Sequence, residues 1–294
     1  MAAPAADFVL PFDLAAAGVR GRLVRLDATS ARALSSHDLP EEAGRLAGEM
    51  LALATLFGSL LKLDGRLTVQ IQGDGPVDPV VADYYGRTAA APRGVRGLAR
   101  VDSERFAALG AKPDFAAMTG EGALAVTVRP SADARAYQGI VALDPQGIAA
   151  SAEAYFLKSE QLATLVRLAA APVFVPGTAK PSWRAGGILL QETPDAARAA
   201  DDWNRLSTLA ATVEAMELVD TELAPEALLW RLFHQEEVRV FDAEPVAFRC
   251  DCRRDSIENV LKSYSAEERK KLADPDGIIR AKCEFCGAVH EIAA

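Results

Sequence analysis

The first 249 residues contain no cysteine, and the whole 294-residue chain has only three histidines. The long N-terminal part therefore has no disulfide framework and no Cys/His metal cluster of its own. Aromatic residues make up only 6%. No apolar run reaches the roughly 18 residues that a bilayer-spanning helix needs. The longest candidate, Met50 to Leu63, is interrupted by Gly58, Ser59 and Lys62. A basic excess is missing too, since 32 Lys and Arg stand against 41 Asp and Glu for a net charge of -9. Phosphate-backbone binding calls for clustered cations, so nucleic acid is a poor partner for this composition, as is a membrane. The start, MAAPAADFVLPFD, carries Asp7 and Asp13 and lacks a basic stretch. It is not built like a secretory signal, and the cytoplasm is the expected compartment.

What the chain does have is a hydrophobic half, enough for a large core. Its imbalance of charge is local: residues 192–237 hold eleven acidic and three basic side chains (Arg198, Arg205 and Arg231). All four cysteines lie in the last 45 residues as two close pairs, Cys250-Asp251-Cys252 and Cys283-Glu284-Phe285-Cys286. Two such knuckles can converge on one tetrahedral ion, so Cys250, Cys252, Cys283 and Cys286 are the expected ligands of one Zn2+ per chain. A structural zinc ribbon is part of that reading, because a segment of this size has little core of its own. The Cys-x-Cys spacing is tighter than a standard ribbon uses, and it places two sulfurs where oxidation can join them. Thiolates at zinc are nucleophilic and their loss removes the metal, so the pattern suggests a redox switch. His290 is the competing ligand, four residues beyond Cys286, while His37 and His234 are isolated and read as surface or capping residues.

Strict alternation in Leu67–Gln72 before Gly73-Asp74-Gly75-Pro76 predicts a strand and a turn. Further strands are expected at 22–26, 124–128 and 139–143. Pro40 opens a predicted amphipathic helix through Leu46, Met50, Leu53, Phe57 and Leu60-Leu61, and a second helix is expected over 149–170. Strands and helices do not alternate regularly, which favours α+β with an antiparallel sheet. The GDGP and GEG segments lack the rest of any phosphate-binding fingerprint, and Ser159 lacks a nucleophile elbow, so no catalytic constellation is present. A boundary is expected near residues 175–187, around Val175–Lys180, Pro181 and Gly186-Gly187. Two helices should follow, one with Trp203, Leu206, Ala210, Val213 and Met216 on a face, the other after Pro225 with Leu228, Leu229, Leu232 and Phe233. Their outer faces are acidic with little ion-pair support, so they should be marginally stable.

With these residues in view, the sequence resembles the Hsp33 family of redox-regulated bacterial heat-shock chaperones. The resemblance rests on LTVQIQGDGP at 67–76, Gly139–Leu143, Tyr155-Phe156 with Ser159–Leu162, Gly186–Gln191, Arg231–His234 and the two cysteine knuckles. It implies an α+β N-terminal domain over 1–178 that binds clients and dimerises, a helical acidic linker over 179–237, and a C-terminal zinc-binding switch over 238–294. It also implies a non-enzymatic, ATP-independent holdase that is inactive when reduced and zinc-bound. Peroxide with unfolding conditions, or hypochlorous acid, would form one disulfide in each knuckle, Cys250–Cys252 and Cys283–Cys286. Zinc would leave, the switch and linker would unfold, and a homodimer would hold unfolding client proteins for ATP-dependent foldases. Arg253 and His290 depart from the family's usual residues beside the zinc site. The alternatives are a zinc-dependent thiol-disulfide oxidoreductase, which should place its CxxC at a helix start, and a zinc-ribbon nucleic-acid binder, disfavoured by thirteen acidic and ten basic residues over 236–294.

Overall fold

A computed structural model describes residues 7–89, 91–174, 176–178, 180–193 and 200–293. Val175 and Ala179, within the expected boundary, lie outside them, as do residues 194–199.

Two six-stranded sheets enclose one long helix. The first sheet runs in the order Arg239–Val240, Phe8–Leu14, Val19–Leu26, Ser182–Glu192, Thr164–Val173, with Glu244–Pro245 also paired to Phe8–Leu14, and every pairing is antiparallel. The second has Ala247–Phe248, Gly94–Val101, Val77–Tyr85, Arg66–Gly73, Gly122–Arg129 and Tyr137–Ala142. It is antiparallel except where Ala247–Phe248 joins Gly94–Val101 in parallel. The fold is α+β, and the strands expected from alternation are present, each a little longer than its apolar run.

The helix Glu41–Ser59 follows Pro40, whose fixed φ suits a helix entrance, with Glu41 and Glu42 in the first turn where the helix dipole favours anions. Amphipathic in expectation, it is instead buried almost all round from Ala43 to Gly58, because sheets cover it on two sides. Close approach explains its small residues. A Cβ on Gly48 would sit 2.6 Å from the Ala170 Cβ, and one on Gly58 would lie 2.0 Å from the Tyr84 ring.

The helix expected over 149–170 stops early. Ile148–Tyr155 is helical and continues in one wider turn, Phe156–Glu160, before Gln161 adopts a left-handed φ of 56°. Thr164–Val173 is then a strand, because ten residues of pairing to Ser182–Glu192 outweigh the helix propensity of its alanines. The helical stretch expected from 179 likewise begins as a strand, Ser182–Glu192. Gly186 and Gly187, taken as boundary signals, sit inside that strand. Their missing side chains admit the Leu218 carbonyl on one face and the Leu56 and Leu168 side chains on the other.

Strand alternation divides the interior in two. Val9, Val24, Val166 and Leu189 face the long helix, while Phe8, Leu10, Phe12, Leu23, Leu165, Ile188 and Leu190 face outward into a second core. That outer face is covered by helices Ala200–Ala211, Ala215–Val219 and Pro225–Phe233, which contribute Leu206, Ala210, Leu218, Leu228, Leu229, Leu232 and Phe233. Phe233 meets Phe12 at 6.1 Å between ring centroids. Buried Arg25 reaches out of the sheet to donate to the backbone carbonyls of Leu223 and Glu217. Arg231 pairs with Glu217, and Arg205 with Glu236. Met216, expected on the buried face, is 66% exposed, because the helix ends at Ala211 and the next starts at Ala215 in a new direction.

Candidate metal centre

After Ala247–Phe248 the chain leaves the second sheet and enters the Cys-x-Cys knuckle. Helices Arg254–Leu261 and Ala266–Leu272 follow, then the hairpin Ile278–Lys282 and Val289–Ala293 with the second knuckle in its turn. The turn is closed by Cys283 N–H donating to the Ala288 carbonyl and Gly287 N–H to the Cys283 carbonyl, both 2.8 Å, with Gly287 at a φ of 73°. Neither helix has a buried residue. Among the described residues 249–293, only Ile279, Cys286 and Ile292 are buried. This is far less than the apolar core a free-standing unit needs.

The four sulfurs of Cys250, Cys252, Cys283 and Cys286 lie within 4.8 Å of one another. Cys250 and Cys283 are 3.7 Å apart, and Cys252 and Cys286 3.4 Å. A tetrahedron of thiolates at the usual Zn–S distance has edges of about 3.8 Å, so the set fits zinc in both geometry and softness. Burial and the neighbouring sulfurs of Cys286, Cys250 and Cys283 push the Cys252 thiol up. His290 lies outside the sulfur group, on the hairpin opposite Ala281.

The junction with the second sheet was not legible in the sequence. Arg96, on Gly94–Val101, donates to the Cys250 sulfur at 3.4 Å and lies over the Phe285 ring at 3.9 Å. Its other side is held by Asp83 at 2.8 Å, itself bonded by the Thr68 hydroxyl at 2.5 Å. Burial opposes the Arg96 charge, yet Asp83, Tyr85 and Cys250 together hold its pKa above the ordinary value. Arg100 grips both carboxylate oxygens of Glu284 at 2.7 Å, and Ser36 reaches the Phe285 carbonyl at 3.4 Å. His37, expected at the surface, is half-buried beside the same knuckle. Burial pulls its pKa down, against the Phe285 carbonyl, which raises it. His234 is exposed and rests on Trp230.

The expected turn residues have structural roles. Asp74 accepts from Glu121 N–H at 2.9 Å and Gly75 N–H donates to the Thr119 carbonyl, so the GDGP and GEG loops satisfy each other. The CxxC sits in a hairpin turn and not at a helix start, which removes the structural basis of the oxidoreductase alternative.

Two largely antiparallel sheets around one long helix, capped by three helices, form an α+β body that carries a docked unit whose four converging sulfurs could hold a metal ion. The family model described as Hsp33 protein matches residues 7–293. The 33 kDa chaperonin of Caulobacter vibrioides is 40% identical over 292 residues, covering 97% of this chain and 94% of that one. That of Escherichia coli is 36% identical over 269 residues, covering 92% and 86%. The crystal structure of the 33 kDa chaperonin from Thermotoga maritima superposes with a TM-score of 0.79 at 21% identity over 98% of this chain and 95% of that one, a likeness of fold. The chain belongs to the Hsp33 family, whose members carry a chaperone's name and not an enzyme's.

Proposed function

We propose that the protein is an ATP-independent holdase that binds unfolding clients and is switched on by oxidation of Cys250, Cys252, Cys283 and Cys286. The observation that carries this reading is a sulfur cluster where a core should be: beside four converging thiols, only Ile279 and Ile292 are buried in residues 249–293. Zinc bound there would offset half the charge of four thiolates and crosslink the two knuckles, supplying folding free energy of about 10–16 kcal/mol on the scale of small zinc peptides. The cysteines hold the unit shut in the reduced state. Oxidation removes them as ligands, and the unit has too little buried surface to stay folded.

The sulfur contacts in the structure run between knuckles, Cys250 to Cys283 and Cys252 to Cys286. Oxidised pairing is proposed within each knuckle, Cys250–Cys252 and Cys283–Cys286. Once the unit loosens, partners two and three positions apart have a far higher effective concentration than partners 33 or 34 positions apart. Unfolding would spread to the acidic helices of the linker. Their departure exposes the outer face of the first sheet, a contiguous apolar surface for clients and for a second copy of the chain. Client transfer to ATP-dependent foldases and a cytoplasmic setting belong to this reading, as does a division into body, linker and switch at 237 and at a first boundary that, expected at 178, falls after Ser182–Glu192, since that strand pairs within the N-terminal sheet.

Zinc assay and light scattering of a heat-unfolded client test it together. The reduced protein should hold one zinc and fail to suppress aggregation, and peroxide at unfolding temperature should release the zinc and confer suppression. Cys283→Ser should lose tight zinc binding, while His290→Ala keeps it. Suppression by fully zinc-loaded protein, or a dominant crosslink between knuckles on peptide mapping, would sink the proposed switch.

A further inference from the structure

Arg96, on the α+β body, touches both cysteine knuckles, through the Cys250 sulfur at 3.4 Å and the Phe285 ring at 3.9 Å. Its side chain is only 11% exposed, and Asp83, which holds it at 2.8 Å, is 4% exposed. Asp83 is in turn fixed by Thr68 at 2.5 Å and approached by Arg66 at 3.6 Å. An ion pair this buried is costly to assemble and rigid once made. It therefore presents the guanidinium at one fixed position, against a sulfur that carries negative charge whenever four thiolates share a divalent ion. Such a cluster has a net double negative charge, and a planar, permanently charged donor is well suited to stabilise it.

We propose that Arg96 sets the oxidation threshold of the switch: clamped by Asp83, it shields the Cys250 sulfur and holds the Phe285 knuckle against the body. This rests on the zinc-switch reading above. The chemistry it opposes is balanced as follows. A thiolate sulfur attacks one peroxide oxygen, the O–O bond breaks, hydroxide leaves, and a sulfenic acid remains. A second thiolate then attacks that sulfur and displaces a second hydroxide, so two sulfurs lose two electrons and one peroxide gains them. The N–H donor withdraws electron density from Cys250 and occupies its lone-pair direction, which slows the first step there. A disulfide sulfur is neutral, so after oxidation Arg96 loses its anionic sulfur partner and is held by Asp83 alone. The clamp on Phe285 then weakens, and release of the unit from the sheet follows from the same change that expels the metal.

The test uses full-length, reduced, zinc-loaded protein. Removing Arg96 alone strands the Asp83 carboxylate, so the informative variants are Arg96→Gln with Asp83→Asn, Arg96→Lys, and Arg100→Gln as a junction control. Zinc release at fixed peroxide is followed with a metallochromic indicator, zinc affinity by chelator competition, and the order of cysteine modification by timed alkylation and mass spectrometry. The double variant should release zinc about tenfold faster and bind it less tightly, the loss expected of one charge-assisted hydrogen bond. Cys250 should become the first cysteine modified. Arg96→Lys, which keeps the charge but not the fork or the ring contact, should fall between it and wild type, and Arg100→Gln should match wild type. Unchanged release and affinity in either Arg96 variant would overturn the proposal, as would faster release with an unchanged order of modification, the mark of a merely structural role. If the double variant fails to fold, Arg96→Lys decides by the same criteria. Wild-type protein that holds no zinc would instead overturn the underlying reading.

Discussion

A buried and a half-buried acid show how position decides the role of a residue. Asp83 is compensated by Arg96 and Arg66, and it positions a cation at the sulfur cluster. Glu49, on the long helix between the sheets, has no such fork. Burial pushes its carboxyl up to about 7, with Arg45 opposing and Glu42 adding to the rise. An acid whose folded pKa lies above its unfolded value holds its proton longer in the native state. Between about 4.5 and 7 the folded protein binds more protons than the unfolded one, so this contribution to stability is full at low pH and is lost as pH rises. Glu49→Gln should therefore melt a few degrees above wild type at pH 8 and close to it at pH 5. Thermal unfolding of the reduced proteins at both values checks this. A difference that narrows with rising pH would show that Glu49 is ionised and satisfied in the folded state.

At the scale of elements, the linker helices are the most consequential part of the chain. They bury Leu228, Leu229, Leu232 and Phe233 on the sheet, yet two of them have fewer than ten residues, too short to be helical alone. Their order thus depends on the sheet. Phe233, packed on Phe12 and 1% exposed, is the sharpest point of leverage. Phe233→Ala should cost about 3–5 kcal/mol, enough to raise local opening of Pro225–Phe233 by at least about a hundredfold. Hydrogen exchange should show it, with Arg66–Gly73 unaffected. In the proposed mechanism the same variant suppresses client aggregation while still reduced. A loosened linker without any suppression would mean that its sheet face is not the client surface.

Across the whole molecule, stability is graded. The α+β body has a continuous core on both sides of the long helix, whereas residues 249–293 have only Ile279 and Ile292 buried besides the sulfur cluster. Removing zinc should therefore leave the body folded and melt the appendage. Hydrogen exchange with and without chelator should show residues 249–293 losing protection together. The short strands Arg239–Val240, Glu244–Pro245 and Ala247–Phe248, which tie the appendage to both sheets, should follow. The strand Arg66–Gly73, paired on both sides, should keep its protection. Full protection of 249–293 after chelation would show that the unit folds without a metal.

The cysteine spacing, the alternating strands and the apolar faces after Pro225 were readable from the sequence because each is a local pattern: neighbours a few residues apart share a face or a ligand. The same locality explains the family resemblance, carried by short motifs around turns, strands and knuckles. What the sequence hid was decided by partners far along the chain. Thr164–Val173 reads as helix until Ser182–Glu192 lies beside it. The Gly186-Gly187 pair reads as a boundary until the Leu218 carbonyl is seen to need the space. Arg96 and Asp83 are ordinary strand residues until folding carries Cys250 across 154 positions to the guanidinium. Local periodicity can fix an element, but a charge buried against a distant sulfur is a property of tertiary packing, because only the folded chain removes the water that would otherwise separate the two.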